Sequence, residues 1–223
     1  MAWRSSGSTN ETLVENLARN GLITQDRVKK AMLAVDRAHY TPSSPYQDSP
    51  QTIGHRATIS APHMHAAACE SLLPYLYPGV KVLDVGSGSG YLTHVIAELI
   101  KPDGKVVGVD HIQPLVDLST ANTRKSDEGR QLMDRGGIQY IKADGRLGWA
   151  KEAPYDAIHV GAAAASFHTE LIEQLKAPGR LFMPVEEDGV QHIWVCDKKE
   201  DGTVTRKKDM GVRYVPLTDA PRT

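Results

Sequence analysis

The stretch Val82-Leu83-Asp84-Val85-Gly86-Ser87-Gly88-Ser89-Gly90-Tyr91 carries a short apolar strand directly into a glycine-rich turn. Glycines at such a turn bring backbone close to a ligand, because no Cβ intrudes. The dinucleotide fingerprint G-x-G-x-x-G needs glycine at its sixth position, and here that position is Tyr91. The spacing is G-x-G-x-G, with Asp84 two residues ahead of the first glycine. An acid there repels a phosphate and attracts a cation. The next apolar run, residues 105–109, delivers Asp110, 20 residues after Gly90. An acid at that strand tip can accept both hydroxyls of a ribose. The ligand implied has a ribose, a positive charge and no pyrophosphate, and S-adenosyl-L-methionine meets all three conditions. Asp144, in Lys142-Ala143-Asp144-Gly145-Arg146, closes a third run. It suits an adenine amine or a simple strand-to-helix cap equally well.

Outward from the turn, residues 80–85, 105–109, 138–142, 155–160 and 180–185 read as short apolar strands. Helices are expected over 92–100, from 112 to about 125, and over 170–175. Alternation of this kind builds a mostly parallel sheet covered on both faces. Residues 191–215 hold two or three more strands with no long helix between them, so they must pair antiparallel. The expected fold is α/β and doubly wound, Rossmann-like, of the class I S-adenosyl-L-methionine-dependent methyltransferase kind. Residues 1–62 read as N-terminal helices and a covering loop, and residues 63–223 as the core of one compact domain. In the first part, Ser8 and Glu11 have capping-box spacing, Gly21 stops the first helix, and a second runs from near Asp26 to Val35. Pro42, Pro45, Pro50 and Gly54 break up residues 40–62, which read as a long loop over a site.

Composition narrows the function. At 223 residues, 40% hydrophobic and 24% charged, the chain is an ordinary globular one that needs no disulfide or metal staple. A net charge of −1 argues against a general nucleic-acid binder. Cys69 and Cys196 stand far apart, as idle thiols of a reducing compartment do. The opening residues lack a signal peptide's apolar run and no stretch approaches a membrane span, so a cytosolic chain is expected. Among methyl transfers, His159-Val160-Gly161-Ala162 lacks the Pro-Pro-aromatic run of exocyclic-amine enzymes, and neither cysteine follows a proline as a carbon-5 nucleophile would. His63-Met64-His65 is spaced i, i+2, which does not face one way on a helix, so no metal is expected. Transfer to an oxygen or a small molecule remains. A small-molecule or RNA methyltransferase, and a non-catalytic module on the same fold, stay open on the residues alone.

The chain also resembles the protein-L-isoaspartate (D-aspartate) O-methyltransferase family, most nearly its animal members. The residues that carry this are Gln51-Thr52-Ile53-Gly54, Ala57-Thr58-Ile59-Ser60-Ala61-Pro62-His63-Met64-His65-Ala66, the glycine turn, Asp144-Gly145-Arg146-Leu147-Gly148, Ala153-Pro154-Tyr155-Asp156-Ala157-Ile158-His159-Val160-Gly161 and Gly211-Val212-Arg213-Tyr214-Val215-Pro216-Leu217-Thr218. The resemblance implies a monomer that moves a methyl group from S-adenosyl-L-methionine to the free α-carboxylate of isoaspartyl, and D-aspartyl, residues in aged proteins. The ester then collapses to a succinimide, and S-adenosyl-L-homocysteine is the other product. It implies no nucleic-acid or membrane partner.

By the same resemblance Ser60 stands beside the reacting carboxylate, although Ser followed closely by Pro also suits a helix cap. Ala57, Thr58, Ile59, Ser60, His65, Asp84, Gly86, Ser87, Gly88, Asp110, His111, Asp144, Gly145 and Thr218 would border the cofactor. Ile53, Gly54, Ser60 and Val212 would meet the substrate, Val212 by pairing with extended backbone. The chain departs from the family at Glu186-Glu187-Asp188 and at Ala165-Ser166-Phe167-His168, and it is short after Thr218.

Overall fold

A computed structural model of the chain describes residues 2–217. Two helices come first, α1 (Asn10–Arg19) and α2 (Asp26–Ala34). The cap of α1 is Thr9 rather than Ser8, and Thr12 closes the capping box in place of Glu11. The short Thr12 hydroxyl accepts the N–H groups of both Ser8 (3.0 Å) and Thr9 (2.9 Å), which satisfies the helix start directly. Gly21, at φ +72°, ends the helix as expected. Leu13, Val14 and Leu17 of α1 and Val28 and Met32 of α2 are fully buried, each contributing about 1–3 kcal/mol.

The proline-broken segment is not a plain loop. It contains an antiparallel hairpin, β1 (Gln51–Gly54) and β2 (Ala57–Ile59), joined through His55 and Arg56. Both turn residues are left-handed, at φ +51° and +59°, a conformation that hairpins usually assign to Asn or Gly. That substitution hid the hairpin from the sequence. α3 (Pro62–Leu72) follows, with proline in its first turn.

The central elements are β3 (Lys81–Val85), α4 (Tyr91–Ile100), β4 (Lys105–Asp110), α5 (Gln113–Thr123), α6 (Asp127–Asp134), β5 (Ile138–Lys142) and β6 (Tyr155–Val160). α5 fills the helix expected from 112 to about 125, and α6, which the sequence reading did not name, starts afresh where Ser126 caps it through the Gly129 N–H at 3.1 Å. After β6 come α7 (Thr169–Glu173), β7 (Leu175–Glu187), β8 (Val190–Lys198) and β9 (Val204–Val212). Leu175, expected as the end of a helix, instead starts β7, where it is buried and pairs with Tyr155.

The main sheet has the order β5-β4-β3-β6-β7-β8-β9. Its first five strands are parallel, and β7, β8 and β9 pair antiparallel. Beyond β9 a single parallel bridge joins Pro216 to Ala163. Strand order reverses at β3, which lies between β4 and β6, so a crevice opens at the carboxyl ends of these strands. Successive strand residues face opposite layers. Val82 and Val106 join the apolar cluster that includes α1 to α4, whereas Leu83, Val85, Val107 and Val109 join a second cluster with Leu171 of α7.

Candidate active site

The glycine turn occupies the crevice. Gly86, Gly88 and Gly90 all have positive φ (+77°, +53° and +87°), which L side chains adopt at a cost. At Gly90 space is also exhausted, since a Cβ would lie 2.6 Å from the Tyr140 hydroxyl. The N–H groups of Gly86 and Ser87 donate to the Val109 carbonyl at 2.8 and 3.1 Å, tying the turn to β4. Asp110, at the tip of β4, accepts the Gly88 N–H at 3.2 Å and the Ile112 N–H at 3.0 Å. Burial raises its pKa, and the backbone donors partly oppose the shift. The acid is therefore fixed in place while keeping acceptor capacity for a ligand.

Two adjoining cavities share Thr58, Gly86, Gly88 and Gly161. The larger, about 400 Å³, is walled by the strand ends Val85, Val109 and Asp110, by His111 and Gly145, by the hairpin residues Ala57 and Thr58, and by residues 215–217. That volume and its largely apolar walls suit an adenosine-sized group. The smaller, about 30 Å³, holds Ile59, Ser60, His65, Asp84, Ser87 and His159. The Ser87 hydroxyl is buried there without a partner, and so is available to a ligand's polar end. A third cleft, about 540 Å³, lies along Pro50, Ala61, His63, Met64, Val212 and Tyr214. Ser60 stands between this cleft and the small cavity, because Ala61 follows it and the Tyr214 hydroxyl faces its side chain.

Ser60 does not cap α3. The cap position belongs to Ala61, with no side-chain bond, so the Ser60 side chain is left to line the small cavity and to meet the Tyr214 hydroxyl. Its carbonyl accepts from Arg37 Nη2 at 2.7 Å. The same guanidinium places Nη1 3.3 Å from His65 Nδ1. Burial, and then the Arg37 charge, hold the His65 pKa well below the usual histidine value.

Asp84 lines the small cavity, but its oxygens are engaged. One receives His159 Nδ1 at 2.8 Å and the other the Thr93 hydroxyl at 2.5 Å. Any cation there would feel it through its field, and it braces His159, whose ring stacks on Phe182.

Several expected contacts fall elsewhere. Asp144 is outside the cavity walls among the described residues, while Gly145 is inside them. The Asp144 carboxylate caps its own turn through the Arg146 N–H at 3.0 Å and pairs with the Arg146 side chain at 2.7 Å, which holds its pKa down. The cap left open for it is formed. Ile53 and Gly54 line none of the three cavities. Ile53 is buried, and its Cδ1 lies 3.4 Å from where a Gly88 Cβ would be, so it covers the turn. Gly54 is exposed in the hairpin. Thr218 lies outside the described residues; its neighbours Val215 and Leu217 bond Ala163 at 2.8 and 2.7 Å and close the large cavity from that side.

The sequence reading missed Arg37, His55, Arg56 and Tyr214. No local pattern marks them, since each acquires its place through contacts distant in sequence. Among the described residues no group of three or more His, Cys, Asp or Glu could hold a metal ion.

Comparison with known proteins identifies the family. A family model described as protein-L-isoaspartate(D-aspartate) O-methyltransferase matches residues 8–222. A Caenorhabditis elegans protein-L-isoaspartate O-methyltransferase is 47% identical over 98% of this chain and 96% of its own length. A Triticum aestivum protein of the same name is 49% identical over 94% of this chain and 91% of its own. A Plasmodium falciparum structure described as a protein-L-isoaspartate O-methyltransferase in complex with S-adenosyl-L-homocysteine superposes with a TM-score of 0.88 at 34% identity, covering 95% of this chain and 99% of that one. A second solved structure, with a TM-score of 0.79 at 22% identity, shares the fold. With a full-length family match and relatives at nearly half identity, this chain belongs to the protein-L-isoaspartate (D-aspartate) O-methyltransferase family.

Proposed function

We propose that the chain repairs aged proteins by methylating the free α-carboxylate of L-isoaspartyl residues, with S-adenosyl-L-methionine as donor. When bound, the donor supplies an electrophilic methyl group on a sulfonium; an O–CH₃ bond forms as the S–CH₃ bond breaks, leaving a neutral ester and S-adenosyl-L-homocysteine. The residues present fit that group. Asp110 and His111 would hold the ribose side and Gly145 would flank the adenine. Ser87, His65 and the field of Asp84 would serve the charged amino-acid end.

The observation that carries this reading is the placement of Ser60. It lines the small cavity, next to the adenosine-sized one, while the following residue, Ala61, lines the neighbouring cleft, so donor and acceptor would meet beside it. An ordinary carboxylate, with a pKa near ~4, is already ionised at neutral pH, so the chain need not remove a proton. Its task is to orient the oxygen, through Ser60, and to exclude water with residues 51–59 and 215–217. Val212, at the end of edge strand β9, would pair with the backbone of an extended substrate. Such a reader of main chain suits many unrelated damaged proteins. Residues 1–62 would serve as the substrate-covering part of one unit, working as a monomer in the cytosol. No helix among the described residues is long and apolar enough to cross a membrane.

The test uses two peptides of one sequence, one with isoaspartate and one with aspartate, and methyl-labelled donor. Base-labile label is expected on the isoaspartyl peptide alone. Equal labelling of both would overturn the assignment, and an RNA or small-molecule acceptor labelled in their place would support the alternative.

A further inference from the structure

Among the described residues Arg37 is the largest fully buried side chain, at 0% exposure, and no hydrogen bond or ion pair joins it to a carboxylate; Asp48 acts on it only through space. Burying a charge without a directly paired counter-ion is costly. Burial lowers its pKa to about 10, so the guanidinium remains charged at neutral pH. Compensation is partial: Nη2 donates to the Ser60 carbonyl at 2.7 Å, the group lies 5.1 Å from the centre of the Tyr91 ring, and Nε has no partner. A cation held this way directly behind two residues of a cavity wall, Ser60 and His65, points to more than a structural role.

Its chemistry constrains its neighbour. A guanidinium can only donate, so Nη1, 3.3 Å from His65 Nδ1, makes that nitrogen an acceptor. Nδ1 then carries no proton. In the neutral ring, which burial and Arg37 both favour, the proton sits on Nε2. No protein group among the described residues bonds Nε2, and His65 lines the small cavity with Ser60 and Ser87.

We propose that Arg37 is a positioning residue for methyl transfer. It locks His65 in the Nε2–H tautomer, aimed as a hydrogen-bond donor at an anionic group in the cavity, and it clamps the Ser60 backbone with the same guanidinium. The anionic group is a carboxylate, from the donor's amino-acid end or from the acceptor. One side chain thus fixes two site residues that lie on either side of the start of α3. This rests on the methyltransferase reading above.

The direct test is the two-bond ¹H–¹⁵N spectrum of the ring-labelled full chain with S-adenosyl-L-homocysteine at pH 7, with His65→Gln identifying the His65 signals. The expected result is a neutral ring protonated on Nε2 in the wild type. In Arg37→Met, a shift toward the Nδ1–H form is expected. Arg37→Lys, whose single ammonium cannot span both contacts, should lose about 100-fold in kcat. Wild-type His65 protonated on Nδ1, or on both nitrogens, would overturn the proposal, as would an Arg37→Lys enzyme with wild-type kcat. If Arg37→Met fails to fold, the wild-type spectrum and Arg37→Lys decide between the same outcomes. The tautomer is read without turnover, so the expected spectrum in a protein that ignores isoaspartyl peptides would count against the function and not against the clamp.

Discussion

Gly145 is where a single methyl group should disable the cofactor cavity. A Cβ built there would lie 2.4 Å from Val85 Cγ1 and 3.9 Å from Val109 Cγ2. Its φ is not in the left-handed region, so Gly145→Ala adds crowding without backbone strain. Val85 cannot yield within the core, being β-branched, fully buried and packed among Val107, Val109, Ile158 and Val160. Its one free direction is the cavity that Val85 and Gly145 both line. Overpacking of this kind costs about 1–3 kcal/mol. If Val85 rotates into the cavity, the cost falls on the ligand, a loss of roughly 5- to 150-fold in affinity for S-adenosyl-L-homocysteine at about 1.4 kcal/mol per tenfold. If Val85 stays, the cost falls on the fold, at about 2–4 °C of melting temperature per kcal/mol for a chain this size. Titration calorimetry with S-adenosyl-L-homocysteine, paired with thermal unfolding of the free protein, reads both. Wild-type affinity together with an unchanged melting temperature would refute the packing argument and the placement of the cavity.

Three further outcomes follow from the site. Asp110→Ala removes the acceptor of the Gly88 and Ile112 N–H groups as well as the ribose partner, and should weaken S-adenosyl-L-homocysteine at least about tenfold; unchanged affinity in calorimetry would remove Asp110 from the site. Ser60→Ala should lower kcat by about 10- to 100-fold while cofactor affinity stays within a factor of three; unaltered kcat with saturating isoaspartyl peptide would dismiss Ser60. His65 and His94 are held neutral by burial, His94 with its pKa lowered to about 4, so the unfolded chain binds protons that the folded one does not as pH falls below about 6.5. Stability should therefore fall as pH drops from about 6 toward 4, by about 3 kcal/mol in all from His94 and further from His65, partly offset at the acid end by Asp110, whose raised pKa favours the protonated folded state; urea midpoints that do not move across this range would contradict the burial of both rings.

What the sequence revealed and what it withheld divide along a physical line. Asp84, the three glycines and Asp110 were readable because strand, turn and strand tip are contiguous, and a parallel sheet puts such tips side by side. The pairing of Asp144 with Arg146, two residues away, was not anticipated, because an exposed arginine carries no mark of its partner. The hairpin at residues 51–59 was hidden because left-handed turn positions are filled by His55 and Arg56. Arg37 follows an amphipathic helix and reads as an ordinary surface charge; its burial depends on Ser60, His65 and Tyr91, which reach it only in the folded chain. Tyr214 likewise comes to Ser60 across more than 150 residues of sequence.

The central claim is that this site works by orientation, with no side chain removing a proton from the acceptor. The most direct measurement is kcat against pH, with isoaspartyl peptide and donor both saturating, between about pH 5.5 and 7.5. The acceptor carboxylate is ionised throughout this range, His65 is held neutral, and burial pushes the Tyr91 and Tyr214 hydroxyls well above it. The expected profile is flat. A rate that climbs about tenfold per pH unit toward neutrality would reveal a required base and contradict the account.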